Sequence, residues 1–208
     1  MNFRTPTLLL TALLLPGLAA AGDAESGEAL YKTCIACHGA NGAGNASLNA
    51  PGIAGQSESY LARQLWDFRD GRRGKEPGDA TGAQMLPMAA TLPDGEAIAN
   101  VAAYIAAMPK VQPAATVEGN VGHGQKLFTN RCGACHGGRG WGNEALYTPR
   151  LTAIGDWYLV RQILNFQSNK RGVHEDANYG KQMAMMAKTV SEDELNDIAA
   201  FLNGQAQQ

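Results

Sequence analysis

Large rigid side chains are scarce in this sequence. Phe, Trp and Tyr make up 7% of the 208 residues, while 25 residues are glycine. Such a chain either makes small cores or fills its interior with something else, and a bound planar group would supply the missing apolar volume. Beyond residue 21 no stretch approaches the ~20 apolar residues of a spanning helix, and no segment alternates with the period of a half-buried strand. Cysteine is absent outside two short clusters, Cys34/Cys37 and Cys132/Cys135, which excludes a framework of scattered disulfides. Long basic blocks are missing too. With 17 Lys+Arg against 19 Asp+Glu, net −2, nucleic acid is excluded as a partner.

The one apolar run stands at the N-terminus. "MNFR" carries a positive charge, "TLLLTALLLPGL" follows, and Ala19 to Ala21 place small residues at the −3 and −1 positions of a cleavage site. This pattern predicts a secretory signal peptide over residues 1–21, cleaved near Ala20/Ala21, rather than a retained anchor, since Pro16 interrupts a run already short for a span. The expectation is an exported, soluble, periplasmic protein.

What is present is a repeat. Cys34 and Cys132, His38 and His136, Pro51 and Pro149, "YLARQLWDF" (60–68) and "YLVRQILNF" (158–166), and "GAQMLPMA" (82–89) and "GKQMAMMA" (180–187) all stand 98 residues apart. The register slips by one before "IANVAAYI" (98–105) and "LNDIAAFL" (195–202). A repeat this long means two copies of one domain rather than a solenoid. The copies are placed at 22–109 and 123–208, joined by a Pro- and Gly-bearing linker at 110–122. Each copy reads as helical. Opening helices run into the cysteine clusters, Ser57 begins a helix carrying Leu61, Leu65 and Phe68 on one side, and Ser191 with Glu194 makes a capping box.

Both clusters are C-x-x-C-H, "CIACH" and "CGACH", the attachment pattern of c-type haem. Two thiols on one helical turn add to the two vinyl groups as thioethers, and the following His lies under the iron. A zinc site needs four ligands where each cluster offers three. A thioredoxin-like dithiol expects a preceding strand. Two haem c groups are therefore expected, bound through Cys34, Cys37, Cys132 and Cys135, with His38 and His136 on iron. A thioether from Met is a soft ligand for the opposite face. The repeat aligns Met85 with Met183 and Met88 with Met186, and periodicity leaves both pairs open.

These residues resemble the periplasmic di-haem cytochrome c4 family: two class I c-type domains, each with CxxCH, a Pro-x-[Ile/Leu] segment, a Tyr-Leu-x-x-Gln helix, a Met-x-x-Met loop and a final Ala-Ala-[Tyr/Phe] helix. The likeness covers nearly all of the chain after residue 21. It implies an all-α fold of two tandem class I cytochrome c domains, each wrapped round one covalently bound haem. It also implies that the earlier methionines, Met85 and Met183, are the axial ligands, and that the carbonyls of Pro51 and Pro149 hold the second nitrogen of each axial His. Gly27 and Tyr31 would meet Tyr104, and Gly124 and Phe128 would meet Phe201, where first and last helices cross.

The function implied is a carrier of single electrons with no bond chemistry. Its partners would be an electron donor complex, either quinol-oxidising or a dehydrogenase, and a terminal oxidase; the protein would be soluble but able to dock on membrane complexes. The alternatives are a haem enzyme with one open distal site, of peroxidase or thiosulfate-oxidising type, a sensor, or a fixed subunit of a larger complex. His123 and His174 read as solvated loop residues rather than ligands. The basic loops "RDGRRGK" (69–75) and "NKRG" (169–172) read as solvated, with pairing of Arg72, Arg73, Lys170 or Arg171 to haem propionates as the sharper reading. Charge divides unevenly: residues 22–109 hold 10 acidic and 6 basic residues, residues 110–208 hold 9 and 10. Such a dipole orients a molecule on its partner.

Overall fold

The computed structural model describes residues 22–205; the expected signal peptide lies outside them. Six helices form the first domain: α1 (Ala24–Tyr31), α2 (Ile35–His38), α3 (Glu58–Arg69), α4 (Ala80–Ala83), α5 (Met85–Ala90) and α6 (Gly95–Ala107). Five form the second: α7 (Val121–Arg131), α8 (Gly133–His136), α9 (Asp156–Gln167), α10 (Asn178–Ala187) and α11 (Glu192–Asn203). Among the described residues there are no strands, only two isolated bridges, Asn45–Ala50 and Asn143–Thr148. These bridges obey the 98-residue offset. No described helix is long and apolar enough to cross a membrane.

Each domain is organised by one helix crossing, α1 on α6 and α7 on α11. A Cβ on Gly27 would collide with the Asn100 carbonyl oxygen, and one on Gly124 with that of Asp197. Glycine is therefore what lets the two backbones touch. One turn later the aromatic pairs close the crossing, with Tyr31 and Tyr104 centroids 5.5 Å apart and Phe128 and Phe201 5.7 Å apart. Tyr31 and Phe128 are both fully buried, each a cornerstone of its domain's core.

Local chemistry sets the helix ends. Ser57 accepts from Tyr60 N, Asp94 from Ala97 N, and Ser191 and Glu194 form the reciprocal capping box, each satisfying an orphan N–H of a first turn. The one-residue register slip appears as length: α6 has 13 residues and α11 has 12. The methionine segments differ for a stated reason. Pro87 has no N–H to give Ala83, so the helix breaks at Gln84 and restarts at Met85, which puts the proline in a first turn that tolerates it. Met185 occupies the matching position in the second domain, and α10 runs unbroken for 10 residues.

The opening helices are shorter than expected. A turn at 32–34 separates α1 from α2, and only Cys132 separates α7 from α8. The halves meet through reciprocal hydrogen bonds from α3 and α9 to loops of the opposite domain. Arg63 donates to the Tyr147 carbonyl at 2.9 Å, and its repeat counterpart Arg161 donates to Asn49 Oδ1 at 2.7 Å.

Candidate cofactor site

The cysteine clusters form single helical turns. His38 N donates to the Cys34 carbonyl at 2.9 Å and His136 N to that of Cys132 at 3.0 Å. Both thiols and the ring of each cluster therefore sit on one turn. Gly39 and Gly137 follow at φ 79° and 77°, a left-handed exit that glycine takes without strain. In the first domain the buried Tyr31 hydroxyl pins that exit by donating to the Gly39 carbonyl at 2.7 Å. Burial pushes the Tyr31 phenol up to about 12, so it stays a donor. None of the four cysteines is paired in a disulfide. Burial raises Cys34 and Cys132 to about 11, which keeps these two protonated at neutral pH.

The histidines are held alike. His38 Nδ1 lies 2.9 Å from the Pro51 carbonyl oxygen, and His136 Nδ1 lies 3.1 Å from that of Pro149. A carbonyl can only accept, so Nδ1 carries the proton and Nε2 keeps its lone pair. Both rings are buried, at 8% and 5% exposure. Burial holds their pKa values below the ordinary imidazole value, against the opposing pull of the proline carbonyls. A neutral imidazole with a free Nε2 is the form that binds a metal.

In the first domain these groups open onto a cavity of about 310 Å³. Cys34, Cys37 and His38 line it together with Met85 and Met88, and apolar walls come from Leu30, Leu61, Leu65, Phe68, Val101 and Ile105. Its polar wall is made by Gln64, Arg73, Tyr60, Tyr158 and Gln162. Free thiols, a ready imidazole, thioether sulfur and an apolar slot fit a thioether-linked haem. They do not fit zinc, since among the described residues no three His, Cys, Asp or Glu side chains converge on one point.

The second methionine segment separates its members by exposure. Met183 is half-buried, while Met185 and Met186 are exposed at 66% and 44%. His123 lies outside the first cavity; its Nδ1 is 2.7 Å from Asp197 Oδ2, at the crossing of α7 and α11. His174 is turned to its own loop, where its Nδ1 accepts from Asp176 N at 3.2 Å.

The solvated reading of the basic loops is corrected at Arg73. Arg72 is the surface member, paired with Asp67 at 2.9 Å and Asp70 at 2.7 Å. Arg73 is only 8% exposed and points into the seam between domains. Charge alone suggested solvent; a wall of neutral acceptors from both domains buries the group instead. Ile154, Tyr158 and Gln162 were not expected at the first cavity at all. They reach it from the second domain, and no local pattern announces a contact across some ninety residues. The only signal was that Tyr60/Tyr158 and Gln64/Gln162 repeat identically.

Comparison with known proteins is consistent along the whole chain. A family model described as cytochrome c matches residues 24–109 and again 121–206. Cytochrome c4 of Azotobacter vinelandii is 32% identical, the match covering 98% of this chain and 99% of that one. A thiosulfate dehydrogenase electron acceptor of Stutzerimonas stutzeri is 33% identical, covering 94% and 92%. Among solved structures, reduced recombinant cytochrome c4 from Pseudomonas stutzeri superposes with a TM-score of 0.70 at 28% identity, covering 88% of this chain and 99% of that one.

Proposed function

The chain belongs to the cytochrome c family, as a two-domain relative of cytochrome c4, and on that footing we propose a periplasmic carrier that moves single electrons between larger redox complexes and does no bond chemistry. Electron transfer by two haem c groups is the established part. The residues that hold them, the location and the partners are our reading.

Bound haem supplies a one-electron couple; the chain supplies everything that poises it. Cys34 and Cys37, and Cys132 and Cys135, hold the macrocycle covalently. His38 and His136 would offer Nε2 to iron, with the Pro51 and Pro149 carbonyls fixing each ring's tautomer and direction. Met85 and Met183 would offer thioether sulfur to each iron. A His/Met pair would raise the potential relative to harder ligands and would leave the iron no place for a substrate. In the first domain Met85 shares the cavity with His38. In the second, the exposure of Met186 favours Met183. The apolar walls keep water from the iron, so a change of its charge reorganises little around it.

The observation carrying this reading is the repeated geometry: one helical turn bearing two free thiols and a neutral, carbonyl-anchored imidazole, present twice. The donor is proposed as a quinol-oxidising complex or dehydrogenase, and the acceptor as a terminal oxidase.

The test is the far-red absorption band of iron–methionine ligation, measured per haem in the wild type, Met85→Ala, Met88→Ala, Met183→Ala and Met186→Ala. Two bands are expected, with one lost in each of Met85→Ala and Met183→Ala and none in the others. A wild type with one band would mean an open or differently ligated haem and would replace the carrier with an enzyme or sensor.

A further inference from the structure

We infer that an open cleft between α9 and residues 78–81 of the first domain binds a small aromatic carboxylate, taking its ring beside Arg161 and its charge at Lys170. The cleft has a volume of about 400 Å³, within the ~300–1,000 Å³ of small-molecule sites. Trp157, Arg161, Leu164 and Ser168 line it from α9. Their spacing puts all four on one stripe of the helix. Leu159 and Phe166 lie on the opposite face and are buried. The first haem cavity uses another stripe again, that of Tyr158 and Gln162.

The repeat shows what this side of the seam lacks. Arg63 and Arg161 are counterparts, and each reaches the other domain, at the Tyr147 carbonyl and at Asn49 Oδ1 respectively. Arg63 lies over two rings, Tyr60 at 5.4 Å and Tyr179 at 4.2 Å. Tyr179 in turn packs on Tyr147, with centroids 5.8 Å apart. The counterparts of Tyr179 and Tyr147 are Thr81 and Asn49. Neither ring therefore has an equivalent beside Arg161, which lies over Trp157 at 4.6 Å. The cleft opens where Thr81 replaces a phenol ring.

Charge differs as well. Arg72 is paired with Asp67 and Asp70. Its counterpart is Lys170, and Asn165 and Ser168 stand where those aspartates would. Among the described residues Lys170 makes no ion pair. Its stem lies against the first domain, with Cε 3.1 Å from where a Cβ on Gly78 would stand. Arg161 Nη2 is buried without a hydrogen-bond partner. Burial holds this guanidinium below the ordinary arginine value, against the pull of Tyr158 and Asp79. Asp79 is the only carboxylate lining the cleft. It is 5% exposed and already accepts from Gly82 N at 3.0 Å and Asn165 Nδ2 at 3.4 Å. Two cations thus line the cleft against one buried carboxylate, and Trp157 and Leu164 add apolar wall. A carboxylate on a flat ring answers both features. The ring packs on indole or guanidinium, and the anion pairs with an ammonium that accepts it from many directions.

The probe is benzoate, titrated by calorimetry into the full-length haem-loaded protein at low ionic strength. The wild type is expected to bind it with a Kd of ~1 mM or tighter. Cyclohexanecarboxylate keeps the charge without the π face, and benzyl alcohol keeps the ring without the charge; each should bind at least ~fivefold more weakly. Of the three indole N–H signals in the NMR spectrum, that of Trp157 should move most as benzoate is added. Two variants test the site. K170E reverses the charge and should weaken binding at least ~tenfold. T81Y supplies here the ring that Tyr179 supplies on the other side and should abolish binding. Thr81 also lines the first haem cavity, so haem content is measured for T81Y, and K170E decides alone if that variant loses haem. No heat from benzoate at ~10 mM, equal binding of either analogue, or unchanged binding by K170E overturns the site.

Discussion

Gln56 of the first domain reads the backbone of Arg150 in the second. Its Nε2 donates to the Arg150 carbonyl and its Oε1 accepts from Arg150 N, both at 2.8 Å, as a neighbouring strand would. Gln56 is 4% exposed, so neither bond can be replaced by water. Arg150 directly follows Pro149, whose carbonyl holds His136. One side chain thus connects the first domain to the loop that orients the second domain's imidazole.

Replacing Gln56 by Ala should leave a buried N–H and C=O unpaired, at about 1–3 kcal/mol each. The expected outcome is a second domain that melts earlier in calorimetry and a shifted potential for the second haem, with the first nearly unchanged. Equal effects on both haems would mean that the seam, not the Pro149 loop, carries the influence.

A second prediction concerns how the methionine segments are tethered. Arg69 donates to the carbonyls of Leu92 and Pro93, both at 2.9 Å. Its repeat counterpart Gln167 donates to those of Ala187 at 2.8 Å and Val190 at 2.9 Å. Different side chains at one position tie the long helix to the stretch that follows the methionines. Gln167→Ala should lose about 1–3 kcal/mol of local stability. The far-red band of the second haem should then vanish at a lower temperature than that of the first, while in the wild type the two stay closer. An unmoved transition would show that α10 is held by packing alone.

The linker has its own fastening at Asp156. Its Oδ2 accepts from Thr116 N at 2.7 Å and Val117 N at 3.0 Å, and its Oδ1 from the Thr116 hydroxyl at 2.6 Å. Burial pushes this carboxyl's pKa up, yet the bonds from Thr116, Val117 and Trp157 outweigh that and leave it below the ordinary aspartate value. A carboxyl depressed in the folded state adds stability that is present above its unfolded pKa, ~3.9, and is lost as pH falls through the folded value. Asp156→Asn should therefore be less stable than the wild type at neutral pH, and the two should converge in acid below the folded pKa. Chemical denaturation at several pH values reads this directly, and a constant difference down to strong acid would refute the ionised clasp.

Much of the site was legible because its chemistry is local. Two thiols and an imidazole must share one helical turn, so Cys34, Cys37 and His38 announce themselves by spacing, and the 98-residue repeat announces them twice. Helix caps such as Ser57, Asp94 and Ser191 are equally local, since a side-chain oxygen reaches an N–H only two or three residues on. The crossing glycines were visible through the family likeness, and the structure explains them by the backbone contact that a Cβ would forbid.

What only the tertiary structure decided lies across the seam. Whether Arg73 meets water or Tyr158 depends on how the second domain folds over the first, and hydrogen bonds between residues 85 or more apart leave no period in either segment. The same is true of Gln56 on Arg150, 94 residues away. The sequence alone determined the helices, the duplication and the two covalent attachment points, because those follow from short-range geometry. The docking of the halves, and with it the burial of Arg73, follows from shape and charge complementarity that exists only once both domains have formed.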